Sequence, residues 1–150
     1  MAEPVIVSAC LAGVPCRYDG GSLTDARVAE AVADGVAVSL CAELLGELPT
    51  PRPSAEIVGG DGYDVLDGRA RVVEAGGRDV TGAYVAGALA VADRAVAIGA
   101  RRAILQERSP SCGSARVYDG TFSGLLVDGV GVTAAALRRR GVVVEGASPK

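Results

Sequence analysis

Short apolar runs recur along the chain, each bounded by glycine, proline or polar residues. Residues 5–8, 36–40, 103–106 and 142–145 are rich in aliphatic side chains and have the length of buried strands. Runs of this kind are typical of parallel sheets that are covered on both faces. We therefore expect the first three runs to be neighbouring parallel strands and the fourth to complete the domain.

Segments whose apolar residues recur at helical spacing lie between these runs. The longest helix is predicted over residues 81–98, where apolar side chains recur at Tyr84, Ala88, Val91, Ala95 and Ile98. Gly99 follows it as a helix terminator. Shorter helices are predicted from Thr24, as N-cap, to Asp34 and near residues 133–140. Strands that alternate with helices predict right-handed crossovers and an α/β fold.

Three segments interrupt this alternation. Residues 46–62 contain three alternating prolines and predict an extended, polyproline-like path. Residues 65–73 read as a small hairpin around Asp67-Gly68, and residues 113–132 as a loop or a second hairpin. The sequence thus predicts one α/β domain over residues 1–150. We expect a compact, Rossmann-like, three-layer domain with a mostly parallel sheet and a small β-hairpin insertion.

Composition narrows the classes of function. The chain has 150 residues and a formal net charge of −3, which argues against broad binding to nucleic acid or to a membrane surface. It contains no run of about 18 apolar residues and no recognisable secretory signal at its start. We therefore expect a cytoplasmic protein that acts on a small molecule, with no membrane and no long nucleic acid as partner.

The positions of the cysteines are the strongest chemical signal. Cys10, Cys41 and Cys112 each follow one of the first three predicted strands, and Cys16 lies on the same loop as Cys10. The carboxyl ends of parallel strands share one edge of a sheet, and open α/β sheets bind ligands there. In a reducing compartment, thiols gathered at such an edge indicate metal or redox chemistry rather than a disulfide framework.

Histidine is absent from the sequence, which excludes Ser-His-Asp and Cys-His catalysis. Proton transfer must then use carboxylates, hydroxyls, thiols, water or the single lysine, Lys150. Glu43 lies two residues after Cys41 and is a candidate general base. Ser109, three residues before Cys112, is a candidate to hold a water or a substrate oxygen.

Three further residues near the cysteines are candidates for substrate binding. Arg17 directly follows Cys16 and can orient an oxygen or a carboxylate. Arg52 lies between prolines that present it rigidly, and Ser111 is the hydroxyl next to Cys112. A surface ion pair for Arg52 and a Ser-Pro turn at Ser109 are the alternative readings of these positions.

Several readings of the cysteines stay open at this point. Each can be a small buried side chain, and for Cys41 this is as probable as a site. Cys10 and Cys16 are separated by five residues, whereas zinc sites and dithiol oxidoreductases use closer pairs. Three ligands with one open position make a catalytic centre, and four make a closed, non-catalytic metal or iron–sulfur module.

Five short motifs occur together in one known family. They are Ser8-Ala9-Cys10-Leu11-Ala12-Gly13, Cys16-Arg17-Tyr18-Asp19-Gly20, Leu48-Pro49-Thr50-Pro51-Arg52, Arg108-Ser109-Pro110-Ser111-Cys112-Gly113 and Tyr118-Asp119-Gly120-Thr121-Phe122-Ser123-Gly124. Through them the chain resembles the bacterial thiouracil desulfidase family over nearly its whole length. The resemblance implies a 4Fe-4S cluster held by three cysteines, whose open iron binds the sulfur of a thiolated pyrimidine. It also implies conversion of C=S to C=O without electron transfer.

The resemblance also assigns roles to residues. It implies that Glu43 and Ser109 position and activate water, and that Cys10, Cys16 and Cys112 hold the cluster. Cys41 is then the odd thiol, in an assignment where Cys41 and Cys16 can exchange. The implied substrate is a thiolated nucleobase such as 4-thiouracil.

Overall fold

The structure is a computed structural model that describes residues 4–22 and 24–147. Within these ranges, the chain forms eight strands, five α-helices and one 3-10 helix. In chain order they are β1 (Val5–Ser8), the 3-10 helix (Ala9–Ala12), α1 (Ala26–Ala33), β2 (Ala37–Leu40), α2 (Ala42–Leu45), β3 (Ala55–Val58), α3 (Gly62–Leu66), β4 (Arg71–Glu74), α4 (Thr81–Ile98), β5 (Arg102–Gln106), β6 (Arg116–Tyr118), β7 (Leu126–Asp128), α5 (Val132–Arg139) and β8 (Val143–Ala147).

A four-stranded parallel sheet forms the centre of the domain. Its strand order is β2-β1-β5-β8, and Ile6 of β1 lies opposite Val38 on one side and Ala103 on the other. The three strands that precede cysteines are therefore neighbours, as predicted. The chain first moves outward from β1 to β2 and later returns to the other side of β1. This reversal creates a crevice at the carboxyl ends of the strands.

Alternating side chains divide the core between the two faces of the sheet. Ile6, Ala103 and Leu105 belong to the larger buried cluster, which includes the apolar faces of α4 and α5. Val7 and Ala37 belong to a smaller cluster with Val28 of α1. Helices thus lie on both sides of a mostly parallel sheet, and the predicted three-layer α/β class is confirmed.

Helix α4 has the predicted bounds and ends at Gly99, whose φ of +73° gives the left-handed cap that glycine adopts without strain. Among the described residues, α4 is the single helix with the length and hydropathy to cross a membrane. Length and hydropathy alone do not make α4 a membrane span, because the core helices of soluble proteins share both properties. One face of α4 is buried in the core, at Tyr84, Gly87, Ala88, Val91, Ala92 and Ala95.

The short helix α2 lies directly against α4 because glycines remove the side chains between them. A Cβ atom on Gly87 would lie 1.9 Å from the carbonyl oxygen of Ala42, and one on Gly46 would lie 2.1 Å from that of Ala83. Neither position can therefore hold a larger residue at this separation. This contact fixes Glu43, in the first turn of α2, beside α4.

Two predicted features of the chain path are confirmed or refined. Strands β6 and β7 pair antiparallel, so residues 113–132 do contain the second hairpin. The first short helix begins one residue later than predicted, because Asp25 rather than Thr24 is its N-cap. The Asp25 carboxylate accepts hydrogen bonds from the backbone N–H groups of Arg27 and Val28.

The hairpin predicted over residues 65–73 is wrong. Asp61 and Asp64 form a capping box that starts α3, so Val65 is a buried helical residue and Asp67-Gly68 ends a helix. Strand β4 pairs instead with β3, which runs through the segment predicted as polyproline-like. Lys150 lies outside the described residues.

Candidate functional site

A cavity of about 850 Å³ opens at the carboxyl edge of the sheet. Each of the eight residues selected from the sequence lines it: Cys10, Cys16, Cys112, Glu43, Ser109, Arg17, Arg52 and Ser111. Cys41 lines it as well. The strand order explains this convergence, because β1, β2 and β5 are adjacent and end at the same edge.

Three thiols form a connected group beneath β1 and β2. Cys10 lies in the 3-10 helix after β1, and its Sγ donates a hydrogen bond to Oε1 of Gln106 at 3.0 Å. Cys41 is the N-cap of α2, directly after β2. The Cys16 thiol interacts with both of them. The interaction with Cys10, together with burial, raises the pKa of the Cys16 thiol to about 11. The interaction with Cys16, together with burial, raises the pKa of the Cys41 thiol far above its usual range.

The fourth thiol is held by the loop that follows β5. Ser109 Oγ accepts hydrogen bonds from the backbone N–H groups of Ser111 at 3.0 Å and Cys112 at 3.2 Å. Burial raises the pKa of Cys112 to about 12. A Cβ atom on Gly131 would lie 2.4 Å from the carbonyl of Ser111, so the loop packs directly against the start of α5. Cys112 is thus placed by backbone contacts on both sides.

Ser111 lines the cavity, but its hydroxyl is already engaged. Ser111 is 1% exposed, and its Oγ lies 2.6 Å from Oγ1 of Thr133. The carbonyl of Ser111 also accepts the backbone N–H of Thr133 at 2.7 Å. These contacts tie the Cys112 loop to α5, and a role in substrate binding stays a prediction.

Glu43 and Arg52 form a buried ion pair at the wall of the cavity. The Nη2 group of Arg52 donates to Oε2 of Glu43 and to the carbonyl oxygen of Cys16, the latter at 2.9 Å. Its Nη1 donates to the carbonyl of Pro49 and the hydroxyl of Thr50. The side chains are 2% exposed for Arg52 and 14% for Glu43. Arg52 therefore contacts both the Glu43 carboxylate and the backbone of the cysteine loop, and the alternative reading of a surface ion pair is wrong because the Arg52 side chain is buried.

Tyr84 is a site residue that sequence reasoning missed, because it fits the buried stripe of α4. It lines the cavity beside Glu43 and is 4% exposed. Burial, then the negative charge of Glu43, raises the pKa of Tyr84 above its usual range, so the phenol stays a hydrogen-bond donor. The signal available in the sequence was one polar aromatic residue in a stripe otherwise made of small aliphatic residues.

Glu107 organises the loop that carries Ser109 and Cys112, and it too was missed. Its Oε1 accepts backbone N–H bonds from Arg108, Ser114, Ala115 and Arg116, and its Oε2 accepts the hydroxyl of Ser114. Although burial opposes its ionisation, these bonds hold the pKa of Glu107 below its ordinary value. The loop between β5 and β6 is therefore folded around one carboxylate.

Arg17 lies at the rim of the cavity. Its Nη1 is 3.7 Å from Oδ2 of Asp19, and its guanidinium lies 5.8 Å from the centre of the Tyr18 ring. The side chain of Arg17 is 24% exposed, in contrast to the buried Arg52. Arg17 is thus a partly exposed cation at the cavity, next to Asp19 and Tyr18.

The donor set fits a thiolate-bound iron–sulfur cluster. Cysteine thiolates are the usual ligands of 4Fe-4S clusters. Among residues 4–22 and 24–147, no ready-made group of three Cys, Asp or Glu side chains for a single metal ion is found. Soft thiolates select iron–sulfur clusters, zinc or copper(I), and here four thiols surround a roomy cavity.

Comparisons with known proteins identify one family over nearly the whole chain. The family model described as 2-thiouracil desulfurase matches residues 5–147. The chain is 48% identical over 137 residues to "Uncharacterized protein YbbK" of Bacillus subtilis (strain 168), covering 91% of each chain. A solved structure described as "[4Fe-4S]-dependent thiouracil desulfidase TudS" superposes with a TM-score of 0.84 at 43% identity, covering 96% of this chain and 90% of that one.

Proposed function

The chain belongs to the 2-thiouracil desulfurase family, and we propose that it replaces the sulfur of a thiolated pyrimidine such as 4-thiouracil by oxygen. The similar solved structure is described as [4Fe-4S]-dependent, and we assign a 4Fe-4S cluster to this chain as well. The observation that carries the proposal is the single cavity in which four thiols, Glu43 and Ser109 meet.

We assign Cys10, Cys16 and Cys112 as the cluster ligands. They lie on the loops after β1 and β5, so they approach the cavity from two directions. When bound, a cluster with one open iron supplies a Lewis acid for the thiocarbonyl sulfur, which makes the attached carbon more electrophilic. Cys41, next to Cys16, remains a thiol at the wall of the site.

Glu43 is proposed as the general base. Arg52 donates to its carboxylate, and Tyr84 lines the same cavity close enough for the charge of Glu43 to raise the pKa of its phenol. From there Glu43 takes a proton from water as the water oxygen attacks the thiocarbonyl carbon. The buried guanidinium compensates the charge of Glu43 before the proton arrives.

Ser109 is proposed to hold the attacking water or the negative charge that develops in the transition state. Because Ser109 Oγ already accepts two backbone N–H bonds, its oxygen is polarised and its O–H remains free to donate. The carbon–sulfur bond then breaks as the hydroxyl proton of the adduct passes to sulfur. Sulfur leaves as hydrosulfide, the ring gains a C=O group, and Glu43 releases its proton to solvent. Water supplies the oxygen, and no electrons are transferred.

The remaining assignments concern the substrate. Arg17 at the rim is proposed to orient the ring oxygen, and Arg52 and Ser111 to complete the wall on which the substrate rests. The partner is a small thiolated nucleobase, with neither a membrane nor a long nucleic acid involved. All of these groups belong to one domain that spans the chain.

The test is desulfuration by the anaerobically purified and reconstituted protein, followed by the absorbance of 4-thiouracil. The wild-type protein should convert 4-thiouracil to uracil with stoichiometric hydrosulfide. Glu43→Gln should lower kcat by roughly a hundred- to ten-thousand-fold while iron and sulfide content stay unchanged. Full activity of Glu43→Gln would remove Glu43 from the mechanism, and an inactive, cluster-loaded wild-type protein would refute the function.

One observation supports a second candidate, a non-catalytic module that uses all four thiols. Cys41 and Cys16 interact and line the same cavity, so Cys41 can join the same centre. This reading predicts that Cys41→Ala loses iron as completely as Cys10→Ala, and that 4-thiouracil leaves the absorption spectrum of the cluster unchanged.

A further inference from the structure

Aromatic side chains are scarce in this protein and are concentrated at one place. The sequence contains four tyrosines and one phenylalanine and lacks tryptophan. Four of these five aromatic residues line the cavity: Tyr18, Tyr84, Tyr118 and Phe122. The fifth, Tyr63, packs under the guanidinium of Arg139, 5.2 Å from its ring centre. The core is therefore mainly aliphatic, and nearly all aromatic side chains of the protein line one cavity.

Phe122 is the most unusual member of this group. It is 39% exposed, and its φ of +57° lies in the left-handed region, which bulky residues rarely adopt. A large apolar side chain that is half in solvent, on a strained backbone, gains little for folding. Such outliers persist where the surrounding structure holds them, and they concentrate at ligand sites.

Glu56 holds Phe122 in place. This buried carboxylate, on β3, accepts the backbone N–H of Gly120 at 2.9 Å and that of Phe122 at 3.2 Å, both through Oε1. A Cβ atom on Gly120 would lie 2.6 Å from the carbonyl oxygen of Ile57, so the loop lies directly on β3. The loop is therefore fixed at its base while the Phe122 ring faces the cavity.

We propose that Phe122 stacks on the ring of the substrate, and that this contact favours a planar aromatic ring over a puckered, non-aromatic one. This inference rests on the proposed function and specifies its substrate class. Stacking on an aromatic side chain suits a pyrimidine because the ring has a polarisable face, and it holds the thiocarbonyl in a fixed plane. Phe122 is thus a specificity-determining residue, separate from the groups that activate water.

The test compares the affinity of the cluster-loaded protein for uracil and for 5,6-dihydrouracil, which has the same N–H and C=O groups on a puckered, non-aromatic ring. Wild-type protein should bind uracil more tightly. Phe122→Leu should weaken uracil binding by roughly 5- to 150-fold and abolish the preference, while Phe122→Tyr should keep it. Leu125→Ala is the control, because Leu125 is 61% exposed on the same loop and does not line the cavity.

The outcomes separate this inference from the proposed function. Turnover of 4-thiouracil by wild-type protein, with equal uracil affinity in Phe122→Leu, would overturn the inference alone. A preference for uracil that depends on Phe122, in a protein that leaves 4-thiouracil unchanged, would refute the proposed function and support the inference. Wild-type protein that binds both probes equally, or neither, would overturn the inference.

Discussion

Arg52 connects the Glu43 carboxylate to the cysteine loop, because its Nη2 group donates both to Glu43 and to the carbonyl oxygen of Cys16. The position of Glu43 therefore depends on a cation that is itself fixed by the loop carrying a proposed ligand. The Nε–H of Arg52 is buried and has no partner among the described residues.

We expect Arg52→Met to lower the free energy of unfolding by about 3–5 kcal/mol, because it leaves the Glu43 carboxylate buried without its partner. The double variant with Glu43→Gln should cost less than the sum of the two single changes. Urea denaturation measures both. Arg69→Met is the matched control, since Arg69 is 65% exposed in its ion pair with Asp64 and should cost less than about 1 kcal/mol. Equal costs for the two arginines would contradict the buried-pair account.

Ser109→Ala should reduce kcat by roughly a hundred- to a thousand-fold, because it removes the hydroxyl that we propose stabilises developing charge. Iron content should stay at the wild-type level, as Cys112 keeps its packing against α5. Turnover and iron are measured on the same preparation, with Ser22→Ala, outside the cavity, as control. Loss of iron in step with activity would instead make Ser109 a purely structural residue.

Single alanine substitutions of the four cysteines test which of them bind the cluster. Cys10→Ala, Cys16→Ala and Cys112→Ala should each lose the cluster after anaerobic reconstitution, whereas Cys41→Ala should retain it. Iron and acid-labile sulfide per chain are the measurements. If Cys41→Ala loses iron and Cys16→Ala retains it, the two residues exchange roles.

Two glycines of α4 should respond in opposite directions to the same substitution. Gly87→Ala should destabilise the protein by about 1–3 kcal/mol or more, because the new Cβ would meet the carbonyl oxygen of Ala42 at 1.9 Å and push α2 away. Gly82→Ala has open space and should stabilise α4 by about 0.5–1 kcal/mol. Urea denaturation gives both values. A neutral Gly87→Ala would show that α2 is not fixed by this contact.

Glu107→Gln should destabilise the protein at pH 7 by about 1–3 kcal/mol, since backbone N–H groups lose a charged acceptor. Folding lowers the pKa of Glu107 below its ordinary value of 4.5. The charge of Glu107 therefore stabilises the folded protein fully when the pH is above 4.5, and this contribution is lost as the pH falls through the folded-state pKa. The difference in stability between wild type and Glu107→Gln should therefore shrink below pH 4.5. Denaturation curves at pH 7 and at lower pH test this, and a constant difference would contradict it.

The sequence predicted the location of the site because that location follows from topology. Three apolar runs that end near Cys10, Cys41 and Cys112 suffice to bring these residues to one edge if the strands are parallel neighbours, and they are. The long helix over residues 81–98 was equally predictable, since its apolar spacing and its terminating glycine agree. The predicted family and fold class are confirmed as well.

The failures arise where tertiary contacts decide. Asp67-Gly68 looks like a hairpin turn, but the capping box at Asp61 and Asp64 outweighs it and starts a helix. Tyr84 was assigned to the core because spacing shows which face is buried, not that part of that face borders a cavity. Glu107 gave no local signal, since its hydrogen-bond partners lie up to nine residues away.

The glycine contact between α2 and α4 also limits how this scaffold can diversify. Any side chain at position 87 larger than a hydrogen atom meets the backbone of α2 and displaces Glu43, so the cavity wall that carries Glu43 has little freedom to vary. The opposite wall, residues 119–124, meets β3 through a single carboxylate and a close backbone contact. We therefore expect relatives that act on bulkier heterocycles to differ in the second wall and to retain the first.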